Sequence, residues 1–386
     1  MQKNKCKKKR IVAFIAKLSV FAAIYSAMIL TNYLVDPGAL YHTRFAGSRE
    51  ELIVDAVTSG KAVENVDDIN ERLAKRYCVE KMGEKHTIVL GSSRAALITA
   101  EAACDENLFN LSLSGAGLDD VVGIYGLYHM KYKAPARVII TLDPWLLNDN
   151  FSDARFAASL GDAYFYYLTE VLGYEGVDKK LSDVSDIYID PDAKQSFFSL
   201  EAKVRNQIFS VPYFQASVKA LLKPQDQLTA VTQSYWTKNS SLRADGSYCY
   251  PENYREVDIQ SIKNRCMPSL PGSILGESNF VSERGKNAAL LRDFLKSMID
   301  DGVEVEALLI PINPILYEHM QKYERYAPYL AAESYFREMA DELDIKILGS
   351  IDPKALNAEL ADFYDGYHYR AERVDELLAK LAEVEK

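Results

Sequence analysis

Two short segments of the chain hold residues able to carry out covalent catalysis. The first, Gly91-Ser92-Ser93-Arg94, directly follows a short apolar run, and the second is Asp365-Gly366-Tyr367-His368. A serine hydroxyl becomes a nucleophile when a base removes its proton, and a carboxylate bound to that base keeps the imidazole oriented. Asp365 and His368 are three residues apart, so a single turn places the carboxylate against the ring. The pattern predicts acyl transfer by a serine of the first segment, with His368 as base and Asp365 as its orienting acid.

Short apolar runs that alternate with helical periodicity indicate the elements that bring these two segments together. Strands are predicted at 86–91, 108–113, 137–142, 303–310 and 345–348. Helices are predicted around 66–76 and at 118–132, 286–300, 335–343 and 371–384. Alternation of this kind is typical of a parallel sheet covered by helices on both faces. The predicted fold class is therefore α/β, with a site beyond the carboxyl ends of the strands.

Polar residues also follow the other predicted strands. Ser114-Gly115-Ala116-Gly117 comes after the second strand, Asp143 after the third, and Asn313 at the end of the fourth. Backbone N–H groups at the serine turn and at Gly115 are expected to stabilise the oxyanion of an acyl-transfer intermediate. Asp143 is expected to bind substrate. Asn313 either lines the site or satisfies a turn, which is the commoner use of asparagine.

Together these motifs resemble the SGNH (GDSL-like) hydrolase superfamily. GSSR after the first strand, the glycine-containing turn after the second and DxxH before the last helix carry the resemblance. GSSR, NLSLSGAG and LIPINP are most similar to the membrane-anchored DltD-like branch, which acts in the acylation of exported polymers. The similarity covers residues 86–148 and 283–386. It implies a three-layer α/β/α domain, a serine esterase or O-acyltransferase activity, a cell-envelope glycan or teichoic-acid-like substrate, and a membrane-bound O-acyltransferase as partner.

The resemblance assigns roles residue by residue. Ser93 matches the nucleophile, because it stands third in the family's Gly-Asp-Ser pattern, where Ser92 takes the place of the aspartate. Asp365 and His368 match the other two members of the catalytic triad. Gly115 matches the oxyanion donor of the second block.

The third block of the family, Gly-x-Asn-Asp, is not reproduced in this chain. Asp143-Pro144-Trp145 follows the third strand instead, and Asn148 comes several residues later. The resemblance therefore leaves one oxyanion donor unassigned, and the candidates for it are Asn148, Arg94 or a backbone amide.

The amino-terminal residues predict a membrane anchor. Residues 1–17 hold seven lysines and arginines and no acidic residue, and residues 11–35 form an apolar run that is long enough for a membrane-spanning helix. The basic stub, residues 1–10, is expected to stay in the cytoplasm, which places everything after residue 35 outside the cell membrane. A cleaved signal peptide is the alternative, because it shares the basic-then-apolar pattern.

Charge and missing motifs exclude several classes of function. The chain after residue 17 carries the other 38 of the 45 basic residues against all 55 acidic ones. A body this acidic argues against nucleic-acid binding, which depends on a cationic surface. The sequence holds no GxxxxGK phosphate loop and no HExxH. Nucleotide and zinc chemistry are therefore not expected, and neither is a metal or another cofactor.

The cysteines predict disulfide bonds in the external part. Cys6 precedes the apolar run and is expected to be a cytosolic thiol, which leaves an even number of cysteines outside. An oxidising compartment permits two disulfides among them, in one of three pairings. The preferred pairing joins neighbours in the sequence, Cys78–Cys104 and Cys249–Cys266.

The α/β pattern is interrupted between residues 149 and 282. This stretch is too long for a loop and is predicted to be an inserted subdomain, set into an α/β domain formed by 86–148 and 283–386. A connector, residues 36–85, joins that domain to the anchor. The insertion is rich in tyrosine and phenylalanine, which either pack a core or offer flat faces to sugar rings.

The sequence leaves other functions open. Taken alone, Ser93 is consistent with the N-cap of a helix beginning near Ala95, and His368 with an ordinary surface histidine. The missing third block favours a non-catalytic accessory subunit that recruits polymer or a membrane acyltransferase. A lectin-like carbohydrate binder is a third possibility, and it rests only on the aromatic insertion. The ordered combination of Ser93, Asp365 and His368 favours the enzyme.

Overall fold

The computed structural model describes residues 2–35, 47–66, 69–151, 155–175, 208–222, 229–231, 238–272 and 275–383. The helices of these ranges are α1 Gln2–Val35, α2 Gly47–Thr58, α3 Glu71–Lys81, α4 Leu118–Tyr132, α5 Arg155–Tyr166, α6 Val211–Leu222, α7 Glu252–Arg255, α8 Ile259–Cys266, α9 Lys286–Asp300, α10 Pro314–Met320, α11 Ala327–Leu343 and α12 Ala371–Glu383. The strands are β1 Ala62–Glu64, β2 Thr87–Leu90, β3 Leu108–Asn110, β4 Arg137–Thr141, β5 Thr229–Val231, β6 Ser241–Leu242, β7 Tyr248–Cys249, β8 Glu304–Leu309 and β9 Lys346–Gly349.

A five-stranded parallel sheet forms the centre of the fold, with the strand order β3-β2-β4-β8-β9. The strands start in register, since Thr87 pairs with both Leu108 and Arg137, and Arg137 pairs with Glu304. Their carboxyl ends therefore lie along one edge of the sheet. The predicted α/β class with a parallel sheet is confirmed.

Both faces of this sheet are buried, because alternate residues of each strand enter different hydrophobic clusters. Ile88 and Leu90 belong to a large cluster with apolar residues of α3, α4, α9 and α11. Val89, between them, belongs to a second cluster with Val374 and Leu377 of α12. Burial on both faces explains why the strands read as continuous apolar runs in the sequence.

Most predicted helices are present, and a capping residue explains where α3 begins. Helices α4 and α9 match the predicted ranges, and α11 begins eight residues before the predicted 335. Helix α3 begins at Glu71, later than the predicted 66, because the Asn70 side chain accepts a hydrogen bond from the Leu73 N–H and caps the helix. The helix expected near Ala95 is not formed. A series of turns follows Ser93 instead, so this serine has no helix to cap.

A second, antiparallel sheet joins the predicted connector to the predicted insertion. Its strand order is β5-β1-β6-β7, so β1 of the connector lies between two strands from beyond residue 228. Helix α5 packs on α4, and its Leu160 and Ala163 belong to the same hydrophobic cluster as the central sheet. The described parts of 149–282 are thus packed into the main core, and the boundaries of an inserted subdomain stay a prediction.

The amino-terminal helix has the length and composition of a membrane span. Its apolar part, Arg10–Val35, has 26 residues and a mean hydropathy of 2.0, and only 6% of its most apolar window is buried in the protein. The predicted apolar helix is confirmed.

The predicted disulfides are not formed. Cys78, Cys104, Cys249 and Cys266 are all unpaired, and all except Cys104 are buried. Cys78 lies on the core-facing side of α3, where burial raises the pKa of its thiol to about 11. Cys104 is at an exposed turn with a φ of 52°, so these two cysteines occupy different environments.

Candidate active site

The turn after β2 brings Ser93 to the carboxyl edge of the central sheet. Gly91, the first residue of this turn, has a φ of +133°, and a side chain at its position would overlap the Thr141 hydroxyl on β4. Only glycine allows the chain to turn so close to the neighbouring strand. Ser93 is partly exposed, and its Oγ lies 2.8 Å from Nε2 of His368.

His368 is held by Asp365 in the way that the sequence spacing predicts. The Nδ1 atom of His368 lies 2.7 Å from Oδ2 of Asp365. The other carboxylate oxygen, Oδ1, accepts hydrogen bonds of 2.8 Å from the backbone N–H groups of Tyr367 and His368. The side chains of Asp365 and His368 are 15% and 19% exposed, so the pair lies just below the surface. Ser93, His368 and Asp365 form one continuous chain of hydrogen bonds.

The Asp365 carboxyl is ionised despite its surroundings. Burial alone would raise its pKa, but the adjacent His368 ring and the hydrogen bonds from His368, Tyr254 and the Tyr367 N–H outweigh burial and hold the pKa far below its usual range. A carboxylate that stays charged fixes the proton on Nδ1 of the imidazole. That tautomer leaves Nε2 as the proton acceptor that faces Ser93.

Tyrosines from the 149–282 stretch complete the site, and sequence reasoning missed their role. The Tyr254 hydroxyl donates a hydrogen bond to Oδ2 of Asp365. The Tyr250 ring stacks on Tyr254 at 4.8 Å and meets the His368 ring edge-on at 5.4 Å between centroids. Burial, followed by the Asp365 charge, raises the pKa of Tyr254, so its hydroxyl keeps the proton that it donates. The signal in the sequence was the tyrosine-rich run at 248–254.

Arg94 and Asp143 form a buried ion pair behind the serine turn. Nη1 of Arg94 lies 2.7 Å from Oδ1 of Asp143, and both side chains are 1% exposed. Nη2 of Arg94 donates to the carbonyl oxygens of Ile310 and Pro311. The guanidinium thus ties the turn after β2 to the segments after β4 and β8. Burial raises the pKa of Asp143 even though Arg94 opposes the shift. The pair positions the turn, which differs from the predicted roles of Arg94 as oxyanion donor and Asp143 as substrate ligand.

The segment that leads to Gly115 is hydrogen-bonded to the start of the serine turn. The Leu113 N–H donates to the Gly91 carbonyl at 3.0 Å, which joins the segment after β3 to the start of the serine turn. Gly115 itself has a φ of +63°. Within the described ranges, the N–H groups of Ser93 and Gly115 donate to no neighbouring group. Their predicted role as oxyanion donors stays a prediction.

Asn148 is not available as an oxyanion donor. Its side-chain amide donates to the Gly276 carbonyl at 2.9 Å and to Oδ1 of Asn279 at 3.0 Å, and the residue is fully buried. Both amide hydrogens are used to hold the 276–279 segment in place. Of the three sequence candidates for this donor, a backbone amide is the one that the geometry leaves available.

Asn313 holds the loop that carries the acid. Its side-chain amide donates to the Asp365 carbonyl at 3.0 Å, and its backbone N–H donates to the Gly366 carbonyl at 3.1 Å. Its Oδ1 accepts from the Ile315 N–H and caps α10. Of the two predicted uses, the structure shows the turn: Asn313 joins the end of β8 to the triad loop.

The comparisons with known proteins do not assign the chain to a family. No protein-family model matches the chain. No curated protein matches it either. The case for a function therefore rests on the geometry of the site.

Proposed function

We propose that this chain is a membrane-anchored, extracytoplasmic serine esterase or O-acyltransferase of the SGNH-like type. The observation that carries the proposal is the unbroken hydrogen-bond chain from Ser93 through His368 to Asp365, with distances of 2.8 and 2.7 Å. The residues come from segments 275 positions apart in the sequence, so their contact is a product of the fold. Exposure of Ser93 at the sheet edge gives an ester access to its hydroxyl.

The reaction is a two-step acyl transfer. The Ser93 Oγ attacks the carbonyl carbon of an ester while Nε2 of His368 takes its proton, and the N–H groups of Ser93 and Gly115 stabilise the oxyanion. When the carbon–oxygen bond to the leaving alcohol breaks, His368 returns the proton to that oxygen. Water or a polymer hydroxyl then gives its proton to His368 and attacks the acyl-enzyme. The new acid or ester leaves, and Ser93 regains its proton.

The substrate class follows from the resemblance to DltD-like proteins and from the anchor. Helix α1 is long enough to cross a membrane, and the basic residues before it favour a cytoplasmic amino terminus. The site then faces the outside, where cell-envelope glycans and teichoic-acid-like polymers lie. A membrane-bound O-acyltransferase that delivers the acyl group is the proposed partner.

Labelling with a fluorophosphonate tests the proposed nucleophile. The full-length chain in detergent micelles is treated with a fluorescent fluorophosphonate, which reacts only with activated serines. Wild type is expected to take up one label per chain, and Ser93→Ala is expected to take up none. Ser92→Ala is the matched control, since Ser92 is buried and its Oγ accepts from the Arg94 N–H. Labelling of Ser93→Ala at the wild-type rate would refute the proposal.

A non-catalytic accessory subunit is the second candidate. The observation that favours it is that Arg94 and Asn148, two candidates for the third oxyanion donor, are both used elsewhere. The same labelling experiment separates the two candidates. A folded wild-type chain that takes up no label at Ser93 would favour the accessory subunit.

A further inference from the structure

The outer end of the amino-terminal helix contacts a second apolar segment of the chain. Asn32, near the end of α1, is fully buried, and its side-chain amide donates to the carbonyl oxygens of Ile208 and Ser210 at 2.9 and 3.2 Å. Its Oδ1 accepts a hydrogen bond of 3.1 Å from the Ser217 hydroxyl on α6. The Phe209 ring stacks on Tyr25 of α1 at 6.4 Å between centroids. Residues 208–217 are therefore attached to the last turns of α1.

This attachment places the start of α6 at membrane depth. A helix rises about 1.5 Å per residue, so Tyr25 lies about 15 Å below Val35 along α1. The 26-residue span is longer than the hydrocarbon core requires, and it exceeds that thickness of about 30 Å by less than 15 Å. Tyr25, and with it Phe209, therefore lies inside the hydrocarbon when α1 spans the membrane.

The polar groups in the contact between α1 and residues 208–217 are paired with each other. Asparagine and backbone carbonyls outside a helix are costly in lipid unless they find partners within the protein. Asn32 supplies donors to the carbonyls of Ile208 and Ser210, which precede α6. The Ser210 carbonyl also accepts the first backbone hydrogen bond of α6, from the Phe214 N–H. The contact removes this cost for both segments at once.

The remaining surface of α6 is apolar and exposed. Val211, Leu221 and Leu222 of this helix are exposed to 56%, 64% and 76%, and Phe209, just before it, to 48%. A groove on the helix is lined by Phe214, Val218 and Leu222, with Gln215 and Lys219 at its polar side. A 12-residue helix is too short to cross a bilayer, whereas one apolar face bordered by a lysine is typical of a helix that lies in the membrane interface.

We infer that residues 208–222 form a second membrane-contacting element, seated in the outer leaflet against α1, with lipid covering their exposed apolar side chains. The inference rests on the proposed membrane anchoring of α1. It gives the extracytoplasmic body two attachments to the bilayer instead of one.

Fluorescence quenching in vesicles tests whether residues 208–222 contact lipid. Leu222→Cys is prepared in the full-length chain with Cys6 and Cys104 replaced by serine, labelled with a polarity-sensitive fluorophore and reconstituted in phosphatidylcholine–phosphatidylglycerol vesicles. Emission is quenched either by doxyl-labelled phosphatidylcholine or by aqueous iodide. We expect a blue-shifted emission that the doxyl lipid quenches and iodide does not.

Two labelled variants serve as references. Val281→Cys is the matched control on the body, because Val281 is 77% exposed and Leu222 76%. Its label is expected to respond to iodide and not to the doxyl lipid. Leu18→Cys, in the middle of α1 and 56% exposed, reports whether the anchor is inserted, and its label is expected to respond to the doxyl lipid only.

The references separate the two ways of failing. Iodide quenching at Leu222 together with lipid quenching at Leu18 would refute the membrane contact of residues 208–222 and leave the proposed anchor intact. Iodide quenching at both positions would refute both the membrane anchor and the membrane contact of residues 208–222. Protection of Leu222 from both quenchers would mean that a second copy of the chain covers α6, which would also overturn the inference.

Discussion

Two hydrogen-bonded pairs of ionisable side chains contact the serine turn, and their surroundings differ. The Asp365–His368 pair is 15–19% exposed and hydrogen-bonded to a serine that solvent can reach. The Arg94–Asp143 pair is 1% exposed, and the guanidinium is tied to two backbone carbonyls. Ser93 and Arg94 are neighbours in the sequence, yet one faces the edge of the sheet and the other its interior. Burial decides which pair is able to exchange a proton with a substrate and which one holds the chain in place.

The largest expected effect is on the rate of labelling at Ser93, which should depend on the Asp365–His368 pair. His368→Ala removes the base, and we expect the second-order rate of fluorophosphonate labelling at Ser93 to fall at least about 1,000-fold, since a serine without its base is a poor nucleophile. The unfolding free energy, measured by urea titration with circular dichroism, is expected to stay close to that of wild type. A labelling rate within a few-fold of wild type would remove His368 from the proposed mechanism.

The next effect separates the pairs by stability. Arg94→Met leaves the Asp143 charge buried without its cation, and we expect it to lower the unfolding free energy by about 3–5 kcal/mol. The same urea titration measures this loss. Replacing both partners, Arg94→Met with Asp143→Leu, leaves no buried charge and is expected to recover part of the loss. The rest stays, because the Ile310 and Pro311 carbonyls still lack the donor that Arg94 supplied. An Arg94→Met variant as stable as wild type would contradict the positioning role of the buried pair.

A smaller effect sharpens the account of the exposed pair. Tyr254→Phe removes one hydrogen bond to the Asp365 carboxylate, and we expect labelling to slow about tenfold, the size of a lost hydrogen bond to a charged group. The hydrogen bond from Tyr254 is one of the causes that lower the pKa of Asp365. Without it, the pKa of Asp365 is expected to rise toward its usual range. The carboxylate is then protonated at a higher pH, so the acid limb of the pH–rate profile is expected to move to higher pH.

A neighbouring tyrosine provides the control for this prediction. Tyr364 packs 5.9 Å from Tyr254, but its hydroxyl accepts from the Ala371 N–H and does not contact the triad. Tyr364→Phe is therefore expected to leave the pH profile in place. Equal shifts in both variants would show that Tyr254 acts only through packing.

The sequence predicted the parts of the site that depend on local pattern. The strands at 87–90 and 137–141 are buried on both faces and appear as apolar runs, and the three-residue spacing of Asp365 and His368 is itself a turn. The rule that parallel strands end at one edge placed Ser93 at that edge. Helix α4 had a regular apolar period and matched its predicted bounds.

Features that depend on long-range contact were missed or assigned differently. Tyr254 reaches Asp365 across 111 residues, from a stretch whose pattern indicated only aromatic richness. Asn148 stands where a donor was expected, yet its partners, Gly276 and Asn279, lie more than 120 residues away. The disulfides were predicted from the even number of external cysteines and their closeness in the sequence. In the structure, however, Cys78 is buried and Cys104 is at the surface. Long-range contacts of this kind produce no periodic pattern of residue types in a single sequence.

The second sheet has a consequence for how the chain matures. Strand β1 pairs with β5 and β6, and the Asn65 N–H donates to the Ser240 carbonyl. During synthesis, β1 therefore leaves the ribosome long before its partners exist. Residues 62–65 therefore stay without these partners until residue 242 has been made, and pairing across so long a loop comes late in folding. A chain interrupted before the second sheet closes has no platform for the tyrosines that surround His368.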